Sequence, residues 1–160
     1  CLALLVVPLH TDGPGFRAPR VRGERLVLAS RVASGLPGRM DVSDLRDLPL
    51  VMFREGYDLR DVTLRACRAA GFEPRLAVEG GEMSAVLRFV EAGLGNAVVT
   101  RKVLARSPEL QTTALKTDTI DRDIAQARRS HEALPLTARA SQVELVGCLS
   151  TLHVVWTWRR

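Results

Sequence analysis

Residues 44–100 read DLRDLPLVMFREGYDLRDVTLRACRAAGFEPRLAVEGGEMSAVLRFVEAGLGNAVVT, and this stretch limits the possible folds more than any other part of the chain. PLVMF is an apolar run of strand length, too short for a buried helix. After the loop Arg54-Glu55-Gly56-Tyr57, Asp58 stands at a good N-cap position. Its carboxylate is expected to accept from the free amides of the first turn, and Tyr57 and Val62 are spaced as a hydrophobic staple. Leu59, Val62, Ala66 and Ala70 recur at helical spacing, and Asp61 stands one turn from Arg65. Gly71 predicts the stop, with Pro74 just beyond. PRLAVE reads as a second strand and Gly80-Gly81 as a turn. Met83, Val86, Leu87, Val90 and Leu94 form a second apolar helix stripe, ended by Gly93 and Gly95. NAVVT is the third strand. Strands alternating with single helices need crossover connections, which are right-handed, and so predict an α/β fold with a parallel sheet.

The remainder is less informative. A length of 160 residues allows one ordinary domain or two small lobes sharing a hinge. With 46% hydrophobic and 26% charged residues the chain is globular rather than disordered. Its net charge of +5 invites a nucleic-acid reading. However, only Lys102 and Lys116 are lysines, the arginines lie scattered among acidic residues, and no basic run carries interleaved aromatics. The segment is therefore not expected to read DNA itself. Cys1, Cys67 and Cys148 are far apart, without a CxxC or a run of histidines, which argues against a disulfide framework and a zinc site. Cys67 reads as a small core residue, and a reducing cytoplasm is the default. CLALLVVPL is strand-like and far shorter than the roughly 20 residues needed to span a bilayer. RLVLAS, LQTTAL and DRDIAQARR are expected strands, residues 11–21 a loop, residues 35–40 a turn and residues 102–105 a short helix. Pro135 and Thr137 open a final helix with Thr137 as its N-cap.

Enzyme signatures are missing. There is no GxSxG elbow, and His10, His131 and His153 are isolated. Gly93-Leu94-Gly95 follows a helix and precedes a strand, the reverse of a dinucleotide loop. Glu79 and Glu82 flank a double glycine and define no acid/base geometry. Ligand binding fits better, because small molecules bind outside the carboxyl ends of parallel strands. Those ends are residues 53–57, 79–82 and 99–100. Two of them lead into helix N-termini, which favour an anion. Gly56 and Gly81 would admit a close backbone approach, Arg54 would pair with a carboxylate and Tyr57 would cap the cleft. A plainer reading stands beside this one, with Gly56 as a turn, Tyr57 as a staple and Arg54 as a solvated side chain.

The segments DLRDLPLVMF, REGYDLRD, ACRAAGFEPRLAVEGGEM and FVEAGLGNAVV, in this order and spacing, resemble the C-terminal effector-binding domain of LysR-type transcriptional regulators. LALLVVPL, ERLVLASR, DRDIAQARR and LPLTARA extend the resemblance to about residue 145. It implies a two-lobed, periplasmic-binding-protein-like (type 2) α/β fold with the second lobe complete and the first partial. Residues 1–40 would belong to the first lobe, 41–120 would form the second, and 121–147 would return to the first. Residues 148–160 would be an atypical apolar tail, and Ser141 stands where the family has a Phe. The implied function is sensing of a small metabolite, anionic by preference, in the inter-lobe cleft. That would modulate DNA binding by an N-terminal winged helix-turn-helix outside this sequence.

The family pattern puts effector contacts on Phe53, Arg54, Gly56 and Tyr57, on Gly81, Glu82 and Met83, and on Thr100, where the family usually has a Pro. It implies no cofactor, no metal and no catalytic residue. The partners would be the effector and other copies of the chain, as a dimer or tetramer. DNA would be reached only through the N-terminal domain, with no membrane and a cytoplasmic location. Helix 58–70, with Arg60, Arg65 and Arg68 on its exposed side, would face a second copy. The alternative is a solute-binding protein of a transporter with the same fold, and a small α/β enzyme ranks third. The chain by itself is expected to expose an unpaired sheet edge and to be poorly soluble, with residues 42–120 the most compact part.

Overall fold

In the computed structural model, residues 2–7, 16–17, 20–116, 121–129 and 144 are described. Chain order gives β1 (Leu2–Val7), β2 (Phe16–Arg17), β3 (Arg20–Arg31), β4 (Arg39–Asp41), β5 (Pro49–Phe53), α1 (Asp58–Ala69), β6 (Arg75–Gly80), α2 (Met83–Glu91), β7 (Ala97–Thr100), β8 (Leu110–Lys116) and β9 (Asp121–Arg129). Two compact units result. One is Glu24–Arg122; the other combines Cys1–Gly23 with Asp123–Arg160.

In the unit Glu24–Arg122, β5 and β6 pair in parallel from Pro49↔Arg75 to Phe53↔Gly80, with a register shift between Leu50 and Val51. Asn96 extends this parallel arrangement on the other side of β5. The Val51 amide donates to the Asn96 carbonyl at 2.8 Å, and the Asn96 amide to the Pro49 carbonyl at 2.8 Å. The alternating strand–helix pattern therefore yields the parallel order it predicts. Beyond Asn96, β7 runs antiparallel to β3, from Leu26↔Thr100 to Ala29↔Ala97. The other edge of β3 pairs antiparallel with β8, and β4 lies parallel to β8. These antiparallel partners come from sequence-distant segments, so local periodicity carries no sign of their direction. In the second unit, β1 pairs antiparallel with β9 from Leu2↔Arg128 to Val7↔Asp123, and β2 joins the end of β9.

The core of the larger unit forms where the apolar strands meet the helix stripes. Phe53, Leu50 and Val51 from β5, Leu26, Val27 and Leu28 from β3, Leu59 from α1, Val86 and Val90 from α2 and Val99 from β7 are fully buried. Helix α1 buries Leu59, Val62, Thr63, Ala66 and Cys67, which is one face at helical spacing. The Thr63 hydroxyl satisfies itself on the Leu59 carbonyl at 2.6 Å. Both helices stop on glycine as expected. Gly71 has φ +80 and Gly93 φ +79. The Phe72 amide reaches Cys67 O and the Gly71 amide reaches Arg68 O, and Leu94 and Gly93 repeat the pattern on Phe89 and Val90. This is the Schellman arrangement, in which a left-handed glycine lets the chain return to the last free carbonyls.

Several local expectations need correction. Tyr57, not Asp58, is the N-cap of α1, in extended conformation and without a side-chain cap bond. The helix starts one residue early because the Tyr57 carbonyl already accepts from the Arg60 amide at 2.9 Å. Arg65 donates to the backbone carbonyl of Asp61 rather than to its carboxylate. Leu94 lies past the end of α2 and is 50% exposed. Arg39 and Met40 sit in β4, where register with β8 overrides the turn signal of Gly35, Pro37 and Gly38. The expected short helix is a 3-10 helix, Arg101–Arg106. Within the expected loop 11–21, Phe16–Arg17 form β2 and β3 begins at Arg20. Of the final helix expected from Pro135 only Glu144 is described, and it is helical; the three histidines, Cys1, Cys148, Ser141 and the tail 148–160 lie outside the described residues.

Candidate functional site

Because β5 and β6 are parallel, Phe53 and Gly80 end at one edge of the unit Glu24–Arg122. The parallel bridge at Asn96 places the end of β7, Thr100, at the same edge. Each candidate residue can then be located. Phe53 is 1% exposed, and its ring stacks on Tyr57 with centroids 4.4 Å apart and 14° between planes. Phe53 is thus a floor, and half-buried Tyr57 is the aromatic surface above it. The Arg54 amide donates to the Gly80 carbonyl at 3.1 Å, and Arg54 Nε to the Gly81 carbonyl at 3.3 Å. That tether joins the loop after β5 to the turn before α2 and leaves the guanidinium end exposed. Gly56 has φ +81, so the loop needs a residue at ease in the left-handed region.

The second glycine pair divides differently from expectation. Gly80 is the crowded one, since a Cβ there would lie 2.7 Å from Val86 Cγ2. Gly81 has open space around it. Glu82 is exposed and is the N-cap of α2, without a side-chain cap bond. Met83 packs partly against the core. Thr100 is 4% exposed and paired to Leu26. The edge therefore brings together Arg54, Gly56, Tyr57, Gly81 and Glu82 at its surface, whereas Phe53 and Thr100 lie in the packing beneath.

The two helix N-termini differ in charge. The first turn of α1 carries Asp58 and Asp61, which neutralise the positive end of its dipole; that of α2 carries no acid, the nearest carboxylate being that of its N-cap Glu82. The free amides of α2 are accordingly the better donors to an anion.

Arg60 is the residue that sequence reasoning misplaced. Instead of facing outward, its side chain is 17% exposed, and Nη1 donates to the Phe53 carbonyl and to Glu79 Oε2, both at 2.6 Å. The bond to Glu79 spans 19 residues, so no local pattern announces it. Arg68 pairs with Glu73 on the exposed side. A depression of about 370 Å³ lined by Ser43, Ala66, Ala69, Ala70 and the Asp41–Lys116 pair lies at the other end of α1, and no candidate residue lines it. Among the described residues no group of three metal-ligating side chains occurs, and no helix is long and apolar enough to cross a membrane.

Parallel strands whose carboxyl ends meet helix N-termini form the edge at which open α/β sheets bind small ligands. The chain belongs to the LysR substrate binding domain family, whose model matches residues 2–142. It is 32% identical over 87 residues to the transcriptional dual regulator GltC of Bacillus subtilis, covering 54% of this chain and 27% of that protein. Over 150 residues it is 32% identical to a probable hydrogen peroxide-inducible genes activator of Streptomyces viridosporus, covering 89% of this chain and 46% of that one. The chain thus spans between about a quarter and half of the curated relatives it matches. These relatives are named as regulators, not enzymes. In fold it resembles the CcmR regulatory domain of Synechocystis PCC6803, solved in complex with 2-PG. That likeness has a TM-score of 0.80 at 17% identity, over 94% of this chain and 74% of the other. The resemblance carried by the motifs is confirmed.

Proposed function

We propose that this chain is the effector-sensing part of a LysR-type transcriptional regulator. It binds a small anionic metabolite at the carboxyl-end edge of the unit Glu24–Arg122 and thereby biases how a separate N-terminal domain holds DNA. The observation that carries this reading is the tethered Arg54 beside the acid-free first turn of α2. A carboxylate or phosphate arriving there meets a guanidinium and free backbone amides together. Tyr57 supplies an apolar face for the ligand's body, Gly56 and Gly81 leave the approach open, and Glu82 discriminates by charge. Met83, Phe53 and Thr100 shape the site from below. Such binding changes the regulator only if the ligand has different affinity for two arrangements of the oligomer. The copies of the chain and the DNA are therefore partners of the full-length protein.

The test is a thermal-shift screen of the full chain against small mono- and dicarboxylic acids and phosphorylated acids. At least one acid is expected to raise the melting midpoint, and Arg54→Ala and Tyr57→Ala each to abolish the rise. A rise undiminished in both variants, or no rise with any acid, counts against the reading.

A further inference from the structure

Arg60 sits in the first turn of α1, yet its guanidinium turns back to the edge just described. Its Nη1 donates at 2.6 Å to the carbonyl of Phe53, the last residue of β5, and at 2.6 Å to Glu79 of β6. Beyond Gly80 the chain leaves β6 for α2, so a guanidinium meets the terminal carbonyl of β5. The Arg60 side chain is 17% exposed and that of Glu79 45%, so the bond to the Phe53 carbonyl is the better shielded of the two, and charge-assisted bonds of this length are the stronger kind. Further contacts hold the same loop: Arg54 N to Gly80 O, Tyr57 N to Arg54 O, Arg54 Nε to Gly81 O, and the Phe53–Tyr57 stack. Arg60 thus holds the Phe53–Arg54 peptide, which joins the residue that stacks on Tyr57 to the one that bonds Gly81.

We infer that Arg60 is a positioning residue for effector recognition. By joining β5, β6 and α1 through Phe53 O and Glu79, it sets the pose of the Arg54–Tyr57 loop before ligand arrives. The inference rests on the proposed function of this edge. It follows that the site is preorganised, so ligand binding does not have to order the loop.

Amide hydrogen exchange on the full chain tests this without knowledge of the ligand. Arg60→Met is expected to speed exchange at the Arg54 and Tyr57 amides by about tenfold or more, as loss of a charged hydrogen bond would. Val90 and Val99 should stay unchanged. Arg60→Lys, which keeps a cationic donor, is expected to recover part of the protection. Unchanged exchange at residues 54 and 57, or equal acceleration at all four amides, would overturn the inference, because Arg60 would then be an incidental ion pair or a general structural contact. Failure of the underlying reading looks different. In that case Arg60→Met still loosens the loop, but Arg54→Ala and Tyr57→Ala leave the thermal shift from the organic acids intact.

Discussion

Cys67 shows how one side chain's surroundings decide its chemistry. Its thiol lies fully buried on the inner face of α1 and carries no disulfide. Burial, helped by the Glu73 carboxylate, pushes its pKa from 9.0 up to about 11. The thiolate is the reactive form, so in the native chain Cys67 should resist both dilute hydrogen peroxide and a thiol-directed dye such as DTNB. Mass spectrometry after peroxide treatment at neutral pH checks this, and rapid native-state oxidation at Cys67 would refute it. The same shift links stability to pH. The folded chain keeps its proton after the unfolded chain has lost its own. The stabilising effect is therefore complete below pH 9 and is lost as pH rises towards 11, by roughly 2–3 kcal/mol. Urea melts of wild type and Cys67→Ala across pH 8–11 should converge in slope below pH 9 and diverge above it.

Among the elements, β6 and α2 meet at a contact that sequence marked only in part. The double glycine announced a turn, but its two members have unlike roles. A methyl group on Gly80 would strike Val86 Cγ2 at 2.7 Å and press on the Val86 backbone nitrogen at 3.2 Å. Gly80→Ala should accordingly destabilise the chain by about 1–3 kcal/mol, as overpacking does. Gly81→Ala, with open space and no positive φ, should stay within about 0.5 kcal/mol of wild type. Equal midpoints for the two variants in denaturant titrations would contradict this account of the β6–α2 junction. The helix stops tell the opposite story. Gly71 and Gly93 were legible because a helix ending in a left-handed residue is a local event. Gly71→Ala has no clash to relieve, yet should cost about 1 kcal/mol through its φ of +80 alone.

At the scale of the molecule, chain connectivity and spatial grouping part company. The larger unit, Glu24–Arg122, holds all of the described core. Limited proteolysis is expected to leave a resistant fragment close to those limits. Early cuts throughout residues 50–100 would show that the β5–α1–β6–α2–β7 arrangement is not the most stable part of the chain.

By itself the sequence determined where helices and strands alternate, that β5 and β6 are parallel, which helix faces are buried and which family the chain belongs to. All of these follow from short-range signals: apolar periodicity, left-handed glycines, and motifs contiguous in the chain. It also located the strand ends that carry Arg54, Tyr57 and Glu82. Only the tertiary structure decided that Thr100 and Phe53 lie beneath the surface, that Gly80 rather than Gly81 is the close approach, and that β7 is flanked by an antiparallel β3. It also turned Arg60 inward. Apart from the approach of Gly80 to Val86, these rest on residues that are distant in sequence and adjacent in space, such as Arg60 with Glu79 or Leu26 with Thr100. Periodicity reports the face on which a side chain starts, whereas a long arginine ends where an opposing carboxylate and a strand-end carbonyl await it.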